Sequence, residues 1–553
     1  MTPKEIKQQF EQIENERSAV ELDWREAEKY CYPQAANSES PKTDPINKQD
    51  RWELVDSTGI EDTLKLSKAL VSFIVPPNLP WVGFDIQSGG KSVFTSEDDD
   101  PSDERKAWIT DVSKRVQWEF DQSNFGRETS LAFRSTVVYG ICGLLFQEYF
   151  DMARERKQFH FTSLSPWEIY PIENEWGIID SNFRKYKMSA ENILKKWPKA
   201  EYDDKFKEAA KKNPFEYHDI IHVVKPNNNS DGKRFSSESI LHGKEYHLES
   251  EQSAFYTNPY IIARYERLRN KVYGNSPAID ALPFLRTLNN SVRLQMASYD
   301  SLVNGKWVHE EGSIIDGELD FSSSVSHAMT DVNAIKNLAE HTGIQVSEML
   351  ISKKREEIDR MLGMEDIEMP APQASPATAF EHAKRIEQQL RQHAPLYGAI
   401  RTEFLSPLVE RALDILRRRK DGSEIKEFPA DLSNPNEELI AVFKGPLAKS
   451  QQIVRSQASD GIVGELISII SQAPALLEIE PKLAFLINYH KYFSDKADAH
   501  GVDPHIFNKK LIVDMKVKEL QEAKQAQADA ELAATAAKAA KDGAQAFEQG
   551  AVQ

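Results

Sequence analysis

Cysteine is nearly absent: Cys31 and Cys142 are the only two in 553 residues. Two thiols can close at most one bridge, and a chain of this length can build a core without it. Both are therefore read as reduced thiols in a cytoplasmic setting. Long apolar runs are also missing. The stretch from Ala69 to Val75, broken by Ser72, is far short of the ~20 residues a membrane span needs. The opening Met1-Thr2-Pro3-Lys4-Glu5 has no apolar stretch behind a basic one, so neither a membrane nor a secretory signal is expected. Positive charge is in deficit, with 69 Lys and Arg against 87 Asp and Glu and a net charge of −18. Proteins that grip DNA release its counterions through clustered Lys and Arg. This balance speaks against a DNA binder and leaves room for a conduit along which DNA slides.

Signatures of catalysis are lacking too. The segment Gly445-Pro446-Leu447-Ala448-Lys449-Ser450 ends like a phosphate-binding loop, but the leading glycine of that motif is missing and Pro446 removes an amide donor. His242 and His247 are five apart, which sets them on opposite faces of one strand and speaks against a shared zinc ion. The acidic run Glu97-Asp98-Asp99-Asp100 reads as a solvated approach to a helix N-terminus, where negative charge is favourable. No catalytic residue, metal or cofactor is expected.

What is present is an ordinary folded composition, 40% hydrophobic and 28% charged, enough for three or four structural units. Helical spacing of apolar residues marks 3–30 (Ile6, Phe10, Ile13, Val20, Trp24, Ala27), 60–75, and 103–122 (Trp108, Val112, Val116, Phe120). From about 137 to 265 short β-branched and aromatic runs (158–163, 217–224, 239–248, 260–265) alternate with Pro, Gly and Asn clusters, which reads as antiparallel sheet. A lysine-rich helical insertion is expected at 190–213. Ser276-Pro277 then supplies an N-cap and a proline at the first helical position. Ala281, Leu285, Leu288, Val292, Met296 and Tyr299 continue one stripe to Asn304, about 40 Å of helix. After a mixed acidic segment, a second helix is expected from Ile344 to Leu362, ending at Gly363. Two long helices around a small module read as a stalk with a tip. Residues 363–377 are a proline-rich loop. Thr378 and Glu381 fit a capping box that opens a long helix, which Pro395 and Pro407 should kink or interrupt. Further helix is expected over 446–515, and an Ala/Gln-rich tail over 516–553 has little to pack, so it reads as disordered or partly helical.

Several segments, taken in order, resemble the portal (head-to-tail connector) family of podoviruses. Phe73-Ile74-Val75-Pro76-Pro77-Asn78-Leu79-Pro80-Trp81 is similar to a family segment, with Val82 where an aromatic is usual. Ser165-Pro166-Trp167-Glu168-Ile169-Tyr170, Gly177 and Phe183-Arg184-Lys185-Tyr186 resemble its wing strands. Val272-Tyr273-Gly274-Asn275-Ser276-Pro277-Ala278-Ile279-Asp280-Ala281-Leu282-Pro283 and Lys444-Gly445-Pro446-Leu447-Ala448 resemble two more. Ala377-Thr378-Ala379-Phe380-Glu381 resembles a helix start, with Phe380 as a departure.

The resemblance implies an α+β portal fold. In it, residues 1–275 form a wing of N-terminal helices and sheet, and 276–304 and 344–362 form a two-helix stem flanking a small α/β clip at 305–343. Residues 363–377 form a channel loop, 378–445 a long kinked helix returning to the wing, and 446–515 a helical crown. It further implies a ring of twelve copies at one capsid vertex, in the virion after assembly in the host cytoplasm. The implied partners are the terminase large subunit, tail adaptor and nozzle proteins, capsid and scaffolding proteins, and double-stranded DNA passing without sequence specificity. Catalysis belongs to the terminase.

Within that frame Glu365, Asp366 and Glu368 would face passing DNA and repel it from the wall, against the plainer reading of a solvated linker. Lys353, Lys354 and Arg355, with Arg286 and Arg293 on the first stem helix, would touch phosphate or a neighbouring subunit. The plainer reading pairs Lys353 with Glu357 and Arg355 with Asp359 along the helix. Glu310, Glu311, Asp316 and Glu318 would dock a basic partner at the clip, or serve solubility alone. A non-viral helical scaffold and a nucleic-acid enzyme are the competing readings. The first leaves the ordered family segments unexplained, and the second lacks a metal-binding or phosphate-binding arrangement.

Overall fold

The computed structural model describes residues 2–35, 53–77, 79–88, 91–92, 103–152, 155–227, 232–242, 247–248, 253–304, 307–309, 335–337, 343–363, 398–419, 437–443, 461, 463–464 and 516. The chain divides into two compact units, Met1–Ala448 and Lys449–Gln553. In the second, the described residues Gly461, Val463, Gly464 and Lys516 are helical.

In the first unit, α1 (Pro3–Cys31) starts at a capping box, in which Glu5 N donates to Thr2 Oγ1 and Thr2 N to the Glu5 carboxylate. Its apolar stripe serves two cores. Ile6 and Phe10 pack with Tyr170, Phe183, Ile221 and Val223, whereas Trp24, Ala27 and Cys31 enter the main core. Helix α2 (Thr58–Ile74) follows. Strand β1 (Val82–Ser88) then pairs with the short β2 (Lys91–Ser92) and, antiparallel, with the distant β13 (Glu437–Phe443), Val82 lying opposite Phe443.

Helix α3 (Asp103–Asp121) is where its apolar spacing places it. Helix α4 (Phe125–Tyr139) was not foreseen: its buried face mixes Thr129, Ser135 and Thr136 with Phe125, Ala132 and Phe133, so its apolar spacing is weak, while Arg127, Ser130 and Arg134 lie along the other side. It ends at Gly140, whose φ of +80° is a left-handed cap natural to glycine.

The sheet region is antiparallel. Strands β3 (Ile141–Asp151) and β4 (Arg156–Leu164) form a long hairpin, extended by β10 (Tyr260–Arg264) on the other side of β3. A five-stranded sheet runs β5 (Ile169–Glu173), β6 (Ile179–Ser189), β7 (Tyr217–Pro226), β8 (Phe235–Leu241) and β9 (Ser253–Phe255). The expected strand 239–248 is instead β8, ending at Leu241. His242 and His247 therefore do not share a strand; His247 forms an isolated bridge to Ile240. The lysine-rich insertion forms two short helices, α5 (Ala190–Lys196) and α6 (Asp204–Lys212), over a small core of Ile193, Tyr202, Phe206 and Leu241.

The long α7 (Pro277–Asn304) is followed by two paired three-residue strands, β11 (Trp307–His309) and β12 (Ile335–Asn337), and then α8 (Gly343–Met361). Helix α9 (Ser406–Arg418) is preceded by a wide π-turn at Arg401–Leu405, where Ser406 N donates to the Arg401 carbonyl. Pro407 has no amide to donate and its ring crowds the carbonyl four residues back, which favours this local widening. Pro395, the acidic run 97–100, the segment 444–450 and the tail beyond Lys516 lie outside the described residues.

Among the described residues no helix is long and apolar enough to cross a membrane, and no group of three or more His, Cys, Asp or Glu could hold a metal ion. Both cysteines are free and fully buried. Burial pushes the Cys31 thiol up to about 12 and the Cys142 thiol up to about 11.

Candidate functional site

The site that matters here is the root of the α7–α8 pair, where both helices leave the sheet-bearing body. At the N-terminus of α7, Gly274 and Gly140 meet backbone to backbone. A β-carbon on Gly274 would lie 2.4 Å from the Gly140 carbonyl oxygen, and one on Gly140 would lie 2.5 Å from that of Gly274. Only glycine allows this approach. Two residues on, Ser276 Oγ donates to the Val138 carbonyl (2.9 Å) and accepts from Ile279 N (3.1 Å), so one hydroxyl caps α7 and fastens it to the end of α4.

Arg264 lies beneath this junction with 1% of its side chain exposed. It is forked onto Glu403 of the π-turn, pairs with Glu173, and donates to the carbonyls of Gly177 (3.2 Å) and Val272 (3.4 Å). A fully buried guanidinium costs several kcal/mol unless it is paired, and these two carboxylates hold it charged. The pairing raises the Arg264 pKa despite burial.

Along the root, α7 and α8 present polar groups to the body. Asn289 accepts from Val55 N (2.9 Å) and donates to the Glu53 carbonyl (3.1 Å). Arg286 forms a forked pair with Glu26 of α1. Arg355 bonds Asp56 at 2.7 Å, and Asp56 also accepts from Thr58 N at 3.0 Å. Burial alone would raise the Asp56 carboxyl, but the hydrogen bonds from Thr58 and Arg355 hold it below the ordinary value. Near the same contact Asp359 of α8 meets the buried Asp62 of α2.

The pairing expected along α8 is therefore different. Glu357 receives Lys354 (2.7 Å), which also lies over the Phe284 ring, rather than Lys353, and Arg355 reaches across to Asp56 rather than along the helix to Asp359. Helical spacing sees neighbours one turn away; it does not see a partner 299 positions distant. Lys353 and Arg293 are exposed. The structure thus brings Arg286, Lys354 and Arg355 to the root as partners of Glu26, Glu357 and Asp56. Glu310, Glu311, Asp316 and Glu318, and Glu365, Asp366 and Glu368, lie outside the described residues. Sequence reasoning missed Glu26, Asp56, Asp62 and Asn289. Only Asp56, in an Asp-Ser-Thr run ahead of a helix, carries a readable capping signal.

Farther out, the pair changes character. The stripes buried at the root (Ala281, Leu285, Leu288 and Val292 on α7; Ile351, Ile358 and Leu362 on the α8 side) give way to exposed Leu294, Met296, Tyr299, Val346, Met349 and Leu350. Leu294 is 70% exposed and Val346 60%, values that a lone soluble helix pair does not favour for six apolar side chains.

The motif residues of the body are packing residues. Trp81 is 2% exposed, stacks on Phe125 (ring centroids 5.7 Å apart) and joins Phe120, Phe146, Phe159 and Phe161. Trp167 Nε1 donates to the buried Glu28 (2.6 Å), Glu168 pairs with Arg184 (2.9 Å), and Arg17 lies 3.9 Å over the Tyr170 ring. Gly177, at φ +74°, has Arg267 where a β-carbon would go.

Comparison with known proteins follows the same segments. Residues 3–507 match the family model described as bacteriophage head to tail connecting protein. A "probable portal protein" of Bordetella phage BPP-1 is 21% identical over 514 residues, covering 90% of this chain and 87% of that one. A "portal protein" of Salmonella phage epsilon15 is 21% identical over 568 residues, covering 97% and 93%. With helix caps, glycine contact and buried tryptophans all carried by the matching stretch, the chain belongs to the bacteriophage head-to-tail connecting protein family.

Proposed function

We propose that the chain is a portal subunit, twelve copies of which close a ring around an axial channel at one capsid vertex. The observation that carries this reading is the outer half of the α7–α8 pair. Leu294, Met296, Val346, Met349 and Leu350 are exposed on a single copy, and copies placed side by side would bury them. A heterologous contact repeated by rotation closes into a ring. Each such side chain contributes about 1.5–3 kcal/mol when fully buried, so a few per contact are enough to hold neighbours together.

In this reading 276–304 and 344–362 are the stem and 305–343 the clip. Glu310, Glu311, Asp316 and Glu318 at the clip meet the terminase large subunit during packaging and tail adaptor and nozzle proteins afterwards. Residues 363–377, with Glu365, Asp366 and Glu368, form the channel loop, and 446–515 form a crown inside the capsid. Exposed Lys353 and Arg293 suit weak contact with passing phosphate better than Arg286 and Arg355, whose charges are engaged by Glu26 and Asp56. A net charge of −18 suits a wall that does not retain DNA. The ring serves packaging and ejection and hydrolyses nothing itself.

Negative-stain images of the purified protein should show rings of twelve with an axial hole, and ATPase and nuclease assays should stay at background. A monomer that persists across salt and protein concentration would overturn the reading.

A further inference from the structure

Strand β10 is tied to the five-stranded sheet at both of its ends. At Arg264 the tie is the ion pair to Glu173 of β5. At Tyr260 it is a histidine. The Tyr260 hydroxyl bonds Nδ1 of His222 on β7, and Nε2 of the same ring lies 2.8 Å from Ser237 Oγ on β8. The Tyr260 and His222 rings have centroids 5.5 Å apart, and both hydroxyl-bearing residues are buried. A hydroxyl can give or take a proton, so a neutral imidazole is satisfied at both nitrogens.

Strand register decides what a charged imidazole would meet. His222 stands directly opposite Arg184 of β6 on one side and Ser239 of β8 on the other. Opposite residues share a face of the sheet, and like charges so placed repel. Arg184 is paired at 2.9 Å with Glu168, just ahead of β5, so that carboxylate is already engaged. Lys196 of α5 reaches over Tyr186, which follows Arg184 on the same face of β6. On β7 itself His218 shares the face but lies against Phe206 of α6. Glu238 of β8 pairs with Val223 and so faces α1 instead. Among the described residues no carboxylate bonds the His222 ring.

We propose that neutral His222 latches β10 to the five-stranded sheet, and that a proton taken up on acidification releases this end while Arg264 holds the other. The surroundings agree with the geometry. Burial first, then the positive charges of Lys196 and Arg184, push the His222 imidazole down to about 3. Pairing keeps Arg264 charged throughout.

A base held low in the latched state takes its proton first in the released state. The latch is therefore fully closed above the released value and weakens as pH falls through it. A released imidazole titrates at about 6.5. Between about pH 8 and about pH 5.8 release should become about sixfold more frequent.

The test is hydrogen exchange of the full chain read by mass spectrometry, with rates corrected for intrinsic pH dependence, in peptides covering 217–226 and 260–264. Wild type should lose about sixfold in protection across that window. His222→Gln, which keeps a donor and an acceptor, should not. Exchange of the imidazole C2 hydrogen follows protonation of each histidine separately and needs no variant; it should show no His222 midpoint above about pH 5. A midpoint above that value would overturn the proposal. So would flat wild-type protection, or a loss that survives in His222→Gln.

Discussion

Arg264 and Glu403, 139 residues apart, meet in a forked contact: the guanidinium Nε lies 3.1 Å and Nη2 2.5 Å from Glu403 Oε1, while the Arg264 amide donates to Oε2 at 2.9 Å. The pair ties β10 to the π-turn ahead of α9, and Glu173 adds a second carboxylate. Removing one partner strands buried charge. Arg264→Leu is expected to cost about 3–5 kcal/mol, and Glu403→Gln less, since an amide oxygen still accepts. Urea unfolding of both variants checks this ranking; equal, small losses would contradict it.

The Gly140–Gly274 contact gives a sharper steric test. Gly274→Ala places a methyl group 2.4 Å from a carbonyl oxygen, and the backbone, unlike a flexible side chain, must shift. A loss of about 1–3 kcal/mol is expected, with looser seating of α7. Gly126→Ala, where nothing lies within 4 Å, should be harmless by the same thermal-melt measurement.

Glu28 supplies a pH signature. Burial raises its carboxyl, and hydrogen bonds from Tyr139 (2.7 Å) and Trp167 (2.6 Å) only partly offset this. The folded chain keeps this proton where the unfolded chain has lost it, so the contribution favours folding at low pH and fades as pH rises through the folded value. Both donors use Oε1, which Gln retains. Glu28→Gln should therefore gain stability relative to wild type as pH is raised, seen in denaturation midpoints taken over a pH series. A constant offset would show that Glu28 does not titrate in the fold.

For assembly, Leu294→Asp with Leu350→Asp should shift the protein from rings toward single copies in sedimentation while leaving its circular dichroism unchanged. Both residues are exposed on one copy, 70% and 55%, so folding loses little and association loses most.

How much was legible follows from what periodicity can see. Helices α1, α2 and α3 announced themselves by an apolar stripe along one face, and α7 by Ser276-Pro277 together with such a stripe. Helix α4 did not, because polar Thr129, Ser135 and Thr136 interrupt its buried stripe, and its last residues, Val137 and Val138, fall where the sheet texture was read to begin. Strand β3 was merged into the same texture. At the root, the stripe along α7 was visible but its polar partners were not. Asn289 with Val55, Arg355 with Asp56, and Asp62 with Asp359 join positions that only the folded chain brings together. Short-range charge rules instead proposed partners one turn away on the same helix. The glycine of the Val272–Pro277 motif was visible as a motif residue, and its reason, the approach of Gly140, was not.

The pairing of β1 with β13 sets a condition on how a subunit comes into being. Val82 finds its partner in Phe443, so a ribosome must deliver the body, both long helices and everything between before this three-stranded sheet can close. Until then one flank of β1 is an open edge, the kind that captures stray strands, and closing so large a loop is entropically slow. Nascent chains, or chains terminated before β13, are thus barred from finishing the body, and the pool from which assembly draws is restricted to polypeptides translated past Phe443.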